Sequence, residues 1–394
     1  MNIDSHLYPS YPKKIVDFRG LQSFAPRNLA FEAEAVQGAG CGFGSQLCKS
    51  AIGEFIERRH FFSDVPIDVV GKIHEHNSKS VSDALYFTIN QLKHCKEDPE
   101  SFDFQLVKVE NFFDSSIAYL PRRLISLGKI SPAEESFIPM MDSCGIAVHS
   151  SAKQSLTTSL NEFIERQALI SSWIGDQQIP QYKSEMILGI KPLKRLAEQL
   201  LANGEVSVFD ISGHLPGYTI AICYFARSNQ DNAQYTIGVS SHACFDTALE
   251  SALTELWQDY IYIYCYKVDI ATVDPKDLMK FSGDTYHINH LMDNAQSTKS
   301  TIPFYRRSQL VDISKVTKKD WQFDQVRRQL ENFSNLIFKY TNEDKRNNLF
   351  YTRVLSPDFY LHMGIDQSLN FDNKFAQNMK IDTQIKNYQR IPFP

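Results

Sequence analysis

Two carboxylates three residues apart, followed at once by a guanidinium, occur twice in this chain: Glu54-Phe55-Ile56-Glu57-Arg58 and Glu162-Phe163-Ile164-Glu165-Arg166. A blurred third copy runs over residues 252–258, with Glu255 and Gln258 in the places of the two glutamates. Residues three and four apart share one face of an α-helix, so Ser50, Glu54, Glu57 and Arg58 fall within one arc, as do Thr158, Glu162, Glu165 and Arg166. Ile52, Phe55 and Ile56, and Leu160, Phe163 and Ile164, take the other sides, which predicts two helices packed into the interior. A lone Glu54–Arg58 pair has a plain explanation as an i,i+4 contact of about 0.3–0.5 kcal/mol. Letter-for-letter recurrence with apolar flanks both times argues instead for a shared site. If the helices converge, Glu54, Glu57, Glu162, Glu165 and Glu255 bring more negative charge than Arg58 and Arg166 can neutralise, and carboxylates in such a place repel one another and lose hydration. A hard divalent cation, Mg2+ above all, shared with substrate phosphates, is the natural complement.

The elements that must position these groups are mixed. Alternating glycines at 38, 40, 42 and 44 precede the first helix and read either as a phosphate-side loop or as a plain turn. Residues 66–110 read as an insertion-prone region with a helix near Val81–Leu92, and neither His74/His76 there nor His287/His290 later has a third ligand in reach of the pattern. Ser143-Cys144-Gly145 predicts a tight turn beside the site, with Cys144 a minor candidate nucleophile. An amphipathic helix over Pro192–Leu201 stops at Asn203-Gly204, and strands follow in VSVFDI and YTIAICYF, separated by a turn through Gly213 and Pro216-Gly217. The stretch TIGVSSHACFDTALESALTELWQ repeats strand, loop and helix. Phe323, Val326, Leu330, Phe333 and Ile337 mark another helix, and LFYTRVLSP a late strand. The fold class is therefore α/β, with mixed sheets and packed helices that carry the repeated Glu-x2-Glu-Arg motif.

A chain of 394 residues with 43% hydrophobic and 22% charged residues can bury a large core. A net charge of −5 gives no basic surface for nucleic acid. The seven cysteines are odd in number and hold no CxxC pair, which argues against a disulfide framework or zinc. The N-terminus lacks an apolar signal core and no run reaches the length of a membrane span, so a cytoplasmic protein without a membrane partner is expected. Residues 1–30 read as an arm or as short strands lying on a core or partner, and the ending Pro392-Phe393-Pro394 as a docked terminus.

Ser50-Glu54-Glu57-Arg58, Glu162-Glu165-Arg166 and Thr254-Glu255-Gln258 match in order and spacing the signature of the YcaO superfamily, and IGEFIERRHFF, RVLSPDFYLHM and the terminal PFP resemble cyclodehydratase subunits of microcin-type thiazole/oxazole synthetases. The resemblance covers most of the chain and implies a single YcaO catalytic domain over 1–394. It implies an ATP-dependent enzyme that activates the backbone amide oxygen of a ribosomal precursor peptide, so that Cys, Ser or Thr closes to an azoline. By the same resemblance, Glu54, Glu57, Glu162, Glu165 and Glu255 would hold Mg2+, and Ser50, Arg58, Arg166 and Gln258 would support the ATP. Glu57, Glu165 and the Pro394 carboxylate would be catalytic. Many members carry Lys where Phe43 stands between Gly42 and Gly44, and Ser-Asn-Gly in place of Ser143-Cys144-Gly145. The implied partners are the precursor peptide, a leader-peptide-binding subunit and an FMN-dependent dehydrogenase in a hetero-oligomer. The alternatives are a thioamide- or amidine-forming member of the family, or a silent scaffold subunit; a kinase ranks last because no kinase signature set is present.

Overall fold

The computed structural model describes residues 14–18, 25–33, 36–139, 141–228, 230–231, 233–270, 299–313, 320–365, 369–382 and 391. In chain order it begins with β1 (Lys14–Phe18), β2 (Arg27–Ala33), β3 (Val36–Gly42) and α1 (Ser45–Arg59). There follow β4 (Val69–Gly71), α2 (Ile73–His76), α3 (Lys79–Leu92), β5 (Phe104–Asn111), β6 (Ile117–Pro121), α4 (Pro132–Phe137) and β7 (Ile146–His149). The central part is α5 (Ala152–Ile174), β8 (Ile179–Tyr182), α6 (Lys194–Asn203), β9 (Gly204–Asp210), β10 (Tyr218–Ala226), β11 (Tyr235–His242) and α7 (Phe245–Ile270). The last elements are α8 (Pro303–Arg307), β12 (Ser308–Leu310), α9 (Phe323–Glu331), β13 (Phe338–Asp344), β14 (Leu349–Leu355) and α10 (Lys374–Asn378).

Among the described residues these strands form three sheets, in the orders β1-β2-β3, β11-β10-β9-β8-β12, and β4-β5-β13-β14-β7 with β6 also on β5. All pairings are antiparallel except β12 on β8. The nine residues of β10 are all buried. Its odd-numbered Ala221, Cys223 and Phe225 pack in the core around α5, while Ile220, Ile222 and Tyr224 pack in the core with α6 and α7. A strand covered on both faces has no polar alternation to show, which is why YTIAICYF reads as a continuous apolar run.

Three readings of the sequence change. The glycines at 38 and 40 lie within strand β3, neither in a turn nor in a phosphate loop. The segment 66–110 is structural: Phe104, Leu106 and Val107 of β5 are fully buried with Leu85 and Ile89 of α3, and β5 pairs with β13 from the far end of the chain. The late helix ends at Glu331, so Phe333 and Ile337 lie beyond it, although Ile337 is fully buried just before β13. No helix of the described residues is long and apolar enough to cross a membrane. Pro394 and the His287/His290 pair lie outside the described residues.

Candidate active site

Each helix that carries a motif glutamate lies against two sheet edges. Helix α1 touches β3 and β7, α5 touches β7 and β11, and α7 touches β11 and β3. Those three strands are each the outermost of a sheet, so helices and open edges alternate around one cleft. An outermost strand presents backbone N–H groups with no ladder partner. The motif carboxylates take them. Glu54 Oε2 accepts the N–H of Ala39 on β3 at 2.8 Å, and the N–H of Val148 on β7 donates to Glu57. On β11, Glu255 Oε2 accepts from Val239 at 3.1 Å and Glu165 Oε2 from Ser241 at 3.2 Å.

Close approach of helix to strand makes these bonds reachable. A Cβ on Gly38 would sit 2.2 Å from the backbone N of Phe55, and one on Gly238 would sit 2.0 Å from the carbonyl O of Ala252. Each glycine stands one residue before the N–H donor, Ala39 or Val239, that its helix's glutamate engages. Helix α5 is drawn onto β7 in another way, by the fully buried Ser155 and Ser159, whose hydroxyls donate to the carbonyls of Ala147 and Gly145.

The cleft between the edges has a volume of about 990 Å3, and Glu57, Glu162, Glu165, Arg166 and Glu255 line it. Arg166 pairs with Glu162 at 3.6 Å and with Glu165 at 3.3 Å. Burial pushes the Glu57 carboxyl well above its usual range, and the neighbouring Glu162 and Glu54 push it further, against Arg58. Burial likewise raises Glu162 to about 8, against the pull of Arg166. Glu165 and Glu255 are raised by burial in the same way, again opposed by Arg166. Four carboxylates thus line the cleft, with Arg166 opposing burial at Glu162, Glu165 and Glu255 and Arg58 opposing it at Glu57. Burial disfavours the charged form of each by more than these cations favour it.

That donor set fits a hard cation. Among the described residues no three acidic, imidazole or thiol groups converge on one point as a protein-only cage would need. Mg2+ suits such walls, since it is commonly held by one or two carboxylates and completes its shell with water and substrate phosphates.

The other expected residues divide. Arg58 pairs with Glu54 at 2.6 Å and does not line the cleft. Ser50 is exposed on α1 beside Gly40, and Gln258 is half-buried on α7, where its carbonyl accepts from Asn28 Nδ2 at 3.2 Å; neither lines the cleft. Cys144 is buried, and burial with Asp142 beside it drives its thiol far from ionisation, which removes it as a nucleophile. The residues 143–145 do form a tight turn, with Gly145 at φ 69°.

Sequence reasoning missed the rest of the lining, which includes His149, Lys153, Asn161, Ser240 and His242. The one available signal was the polar spacing of Gln154, Thr157, Thr158 and Asn161 ahead of Glu162. It also missed Arg353 of β14, 1% exposed, whose Nη1 donates to the carbonyl of Ile125 at 3.0 Å and Nη2 to that of Asp142 at 2.8 Å. Asp142 in turn accepts from the N–H groups of Cys144 and Met363, so Arg353 is a buried cation behind the Glu162 wall.

Known proteins share this fold. The Escherichia coli microcin B17-processing protein McbD is 27% identical over 355 residues, covering 88% of this chain and 87% of that one. A chain of the E. coli microcin synthetase McbBCD complex, solved with pro-MccB17 bound, superposes with a TM-score of 0.84 at 24% identity, over 98% of this chain and 97% of that one. The YcaO protein of Methanopyrus kandleri, solved with AMPPCP and Mg2+, superposes with a TM-score of 0.58 at 13% identity, over 88% and 86% of the two chains. The profile described as YcaO cyclodehydratase, ATP- and Mg2+-binding, matches residues 48–342, from just before Ser50 to the middle of β13. With that match over most of its length, the chain belongs to the YcaO family of ATP-dependent cyclodehydratases.

Proposed function

We propose that this protein converts Cys, Ser or Thr residues of a ribosomal precursor peptide to azolines, as the ATP-using subunit of a heterocycle synthetase. The substrate side chain attacks the preceding carbonyl carbon; the resulting oxyanion takes the γ-phosphoryl group of ATP, releasing ADP; and loss of inorganic phosphate leaves the ring. Net, one water leaves the peptide for each ATP consumed. The observation that carries the reading is the cleft in which four carboxylates face a single arginine, since phosphoryl transfer asks for charge neutralisation and positioning more than for a protein nucleophile.

In this account Glu57, Glu162, Glu165 and Glu255 would hold Mg2+ in ones and twos, with water and substrate phosphates completing the shell, and Glu54 is held one turn away by Ala39 and Arg58. Mg2+ there would supply neutralisation of the phosphate oxygens. Glu57 and Glu165 fix the geometry of the transfer, and Arg166, pinned between Glu162 and Glu165, keeps both carboxylates oriented and can contact phosphate. Ser50 and Gln258 support the nucleotide from outside the cleft wall. Pro394 orients the substrate or moves a proton in this account, and what supports it is the burial of Ile391, 3% exposed, three residues earlier. The E. coli McbBCD complex, solved with pro-MccB17 bound, supports partner subunits and a precursor peptide for this chain; that one partner binds the leader and another is an FMN-dependent dehydrogenase, around a single catalytic domain, is what the family resemblance implies. A heavy-oxygen label on the substrate's amide carbonyl tests the reading: it should appear in the released phosphate, and label retained in the peptide or lost to water overturns it.

A further inference from the structure

The corner between β11 and α7 contributes His242 to the cleft wall, and the account above leaves it unused. Its Nδ1 accepts the backbone N–H of Cys244 at 3.0 Å. A backbone N–H can only donate, so Nδ1 carries no proton, and the neutral ring holds its proton on Nε2. The two-residue loop therefore fixes both the tautomer and the angle of the imidazole. The contact at His149 differs: its Nδ1 stands 3.4 Å from the Ser150 hydroxyl, an atom that can give or take, and no tautomer follows.

His242 continues the strand whose Val239 and Ser241 N–H groups hold Glu255 and Glu165. A lysine on this wall would be drawn onto those carboxylates. A neutral imidazole with a fixed N–H is not, and stays available to a ligand's anionic oxygen. We propose that His242 is a catalytic hydrogen-bond donor, giving Nε2–H to an oxygen of the phosphoryl group as it passes from ATP to the amide oxygen. The proton stays on Nε2 throughout; the bond formed is between phosphorus and the amide oxygen, and the bond broken is the bridge to ADP. The proposal rests on the cleft being the phosphoryl-transfer site.

Two substitutions separate this role from a merely structural one. In His242→Asn the amide oxygen can still accept from Cys244, keeping the loop, but the distal donor is gone. In His242→Gln a distal N–H is kept and the loop contact is lost. With the full chain, its partner subunits, precursor peptide, ATP and Mg2+, His242→Asn should lower kcat by roughly a hundredfold or more with little change in KM for ATP, and His242→Gln should recover to within about tenfold of the parent. An active Asn variant beside an inactive Gln variant would show that the ring only ties the loop. Two active variants would show no role, and two inactive variants with unchanged melting would show that something other than donation is needed; each result overturns the proposal. A parent assembly that removes no water from the peptide overturns the proposed function instead. NMR of isotope-labelled histidine nitrogens decides His242 even then, with its signals identified by their loss in His242→Asn. We expect a bare Nδ1, a protonated Nε2 and movement of the Nε2 signal on adding Mg2+ and a non-hydrolysable ATP analogue; a protonated Nδ1 or a still Nε2 contradicts it.

Discussion

Glu165 Oε2 accepts the backbone N–H of Ser241 at 3.2 Å, across 76 residues of sequence. The bond closes the open edge of β11 and at the same time aims the remaining carboxylate oxygen toward Arg166 and the cleft. One side chain thus serves the fold and the site, and the two duties can be separated. Glu165→Gln keeps an acceptor for Ser241 and removes the charge, so it should melt at or above the parent temperature while ATP turnover falls at least a hundredfold. Glu165→Ala loses the acceptor as well and should cost about 1–3 kcal/mol in denaturant unfolding. Equal stability of the Gln and Ala variants would refute the edge-capping role.

Gly238 should tolerate no side chain. A methyl group there would overlap the Ala252 carbonyl and the Leu256 amide, both of helix backbone, which cannot swing aside. Gly238→Ala should destabilise the chain by about 1–3 kcal/mol or more, with loss of nucleotide binding as α7 withdraws Glu255 from β11. Gly53, whose Cβ would meet nothing within 4 Å, is the control, and Gly53→Ala should leave melting unchanged or raised.

Asp259 gives a pH signature. It is buried one turn beyond Glu255, accepts from Thr236 Oγ1 at 2.6 Å, and burial pushes its carboxyl up to about 7. An unfolded Asp titrates near 4, so between about pH 4 and 7 the folded chain holds a proton that the unfolded chain has released. The stability that goes with this proton is therefore fully present below about pH 4 and is lost as pH rises through the window to about 7. Asp259→Asn should flatten the fall in urea midpoint between about pH 4.5 and about pH 7.5 relative to the parent. Parallel curves for the two proteins would contradict the assignment.

Arg353 should behave as a buried cation with two carbonyls to satisfy. Arg353→Met leaves the Ile125 and Asp142 carbonyls unpaired and removes the weaker of the two positive charges acting on Glu162, Arg166 being the other, for an expected loss of about 3–5 kcal/mol in denaturant unfolding. Arg353→Lys keeps the charge but not both bonds and should fall between. A Met variant as stable as the parent would show that the charge has no role behind the wall.

The helices of the site were legible because a 3.6-residue period survives in a single stretch of sequence, and the letter-for-letter repeat of Glu-Phe-Ile-Glu-Arg tied two of them together. The strands that complete the site were not. β7 is four residues long, and its pairing with β14 brings Val148 beside Tyr351, a partner that local periodicity cannot name. The glycines at 38 and 40 suggested a loop because their purpose is set by α1, which the local pattern of β3 does not contain. Phe333 and Ile337 kept helical spacing through a turn because both remain on the buried side after the helix has ended. His242 carried no signal at all: its tautomer follows from one bond to Cys244 that only the folded loop creates.

The most direct test is the intact mass of a Cys- and Ser-containing precursor peptide after incubation with this protein, its partner subunits, ATP and Mg2+. The account predicts loss of one water per ring, dependent on ATP, present with the parent and absent with Glu57→Gln although that variant stays folded. Loss of water that continues undiminished in Glu57→Gln, or a parent that turns over ATP with the peptide mass unchanged, would contradict it.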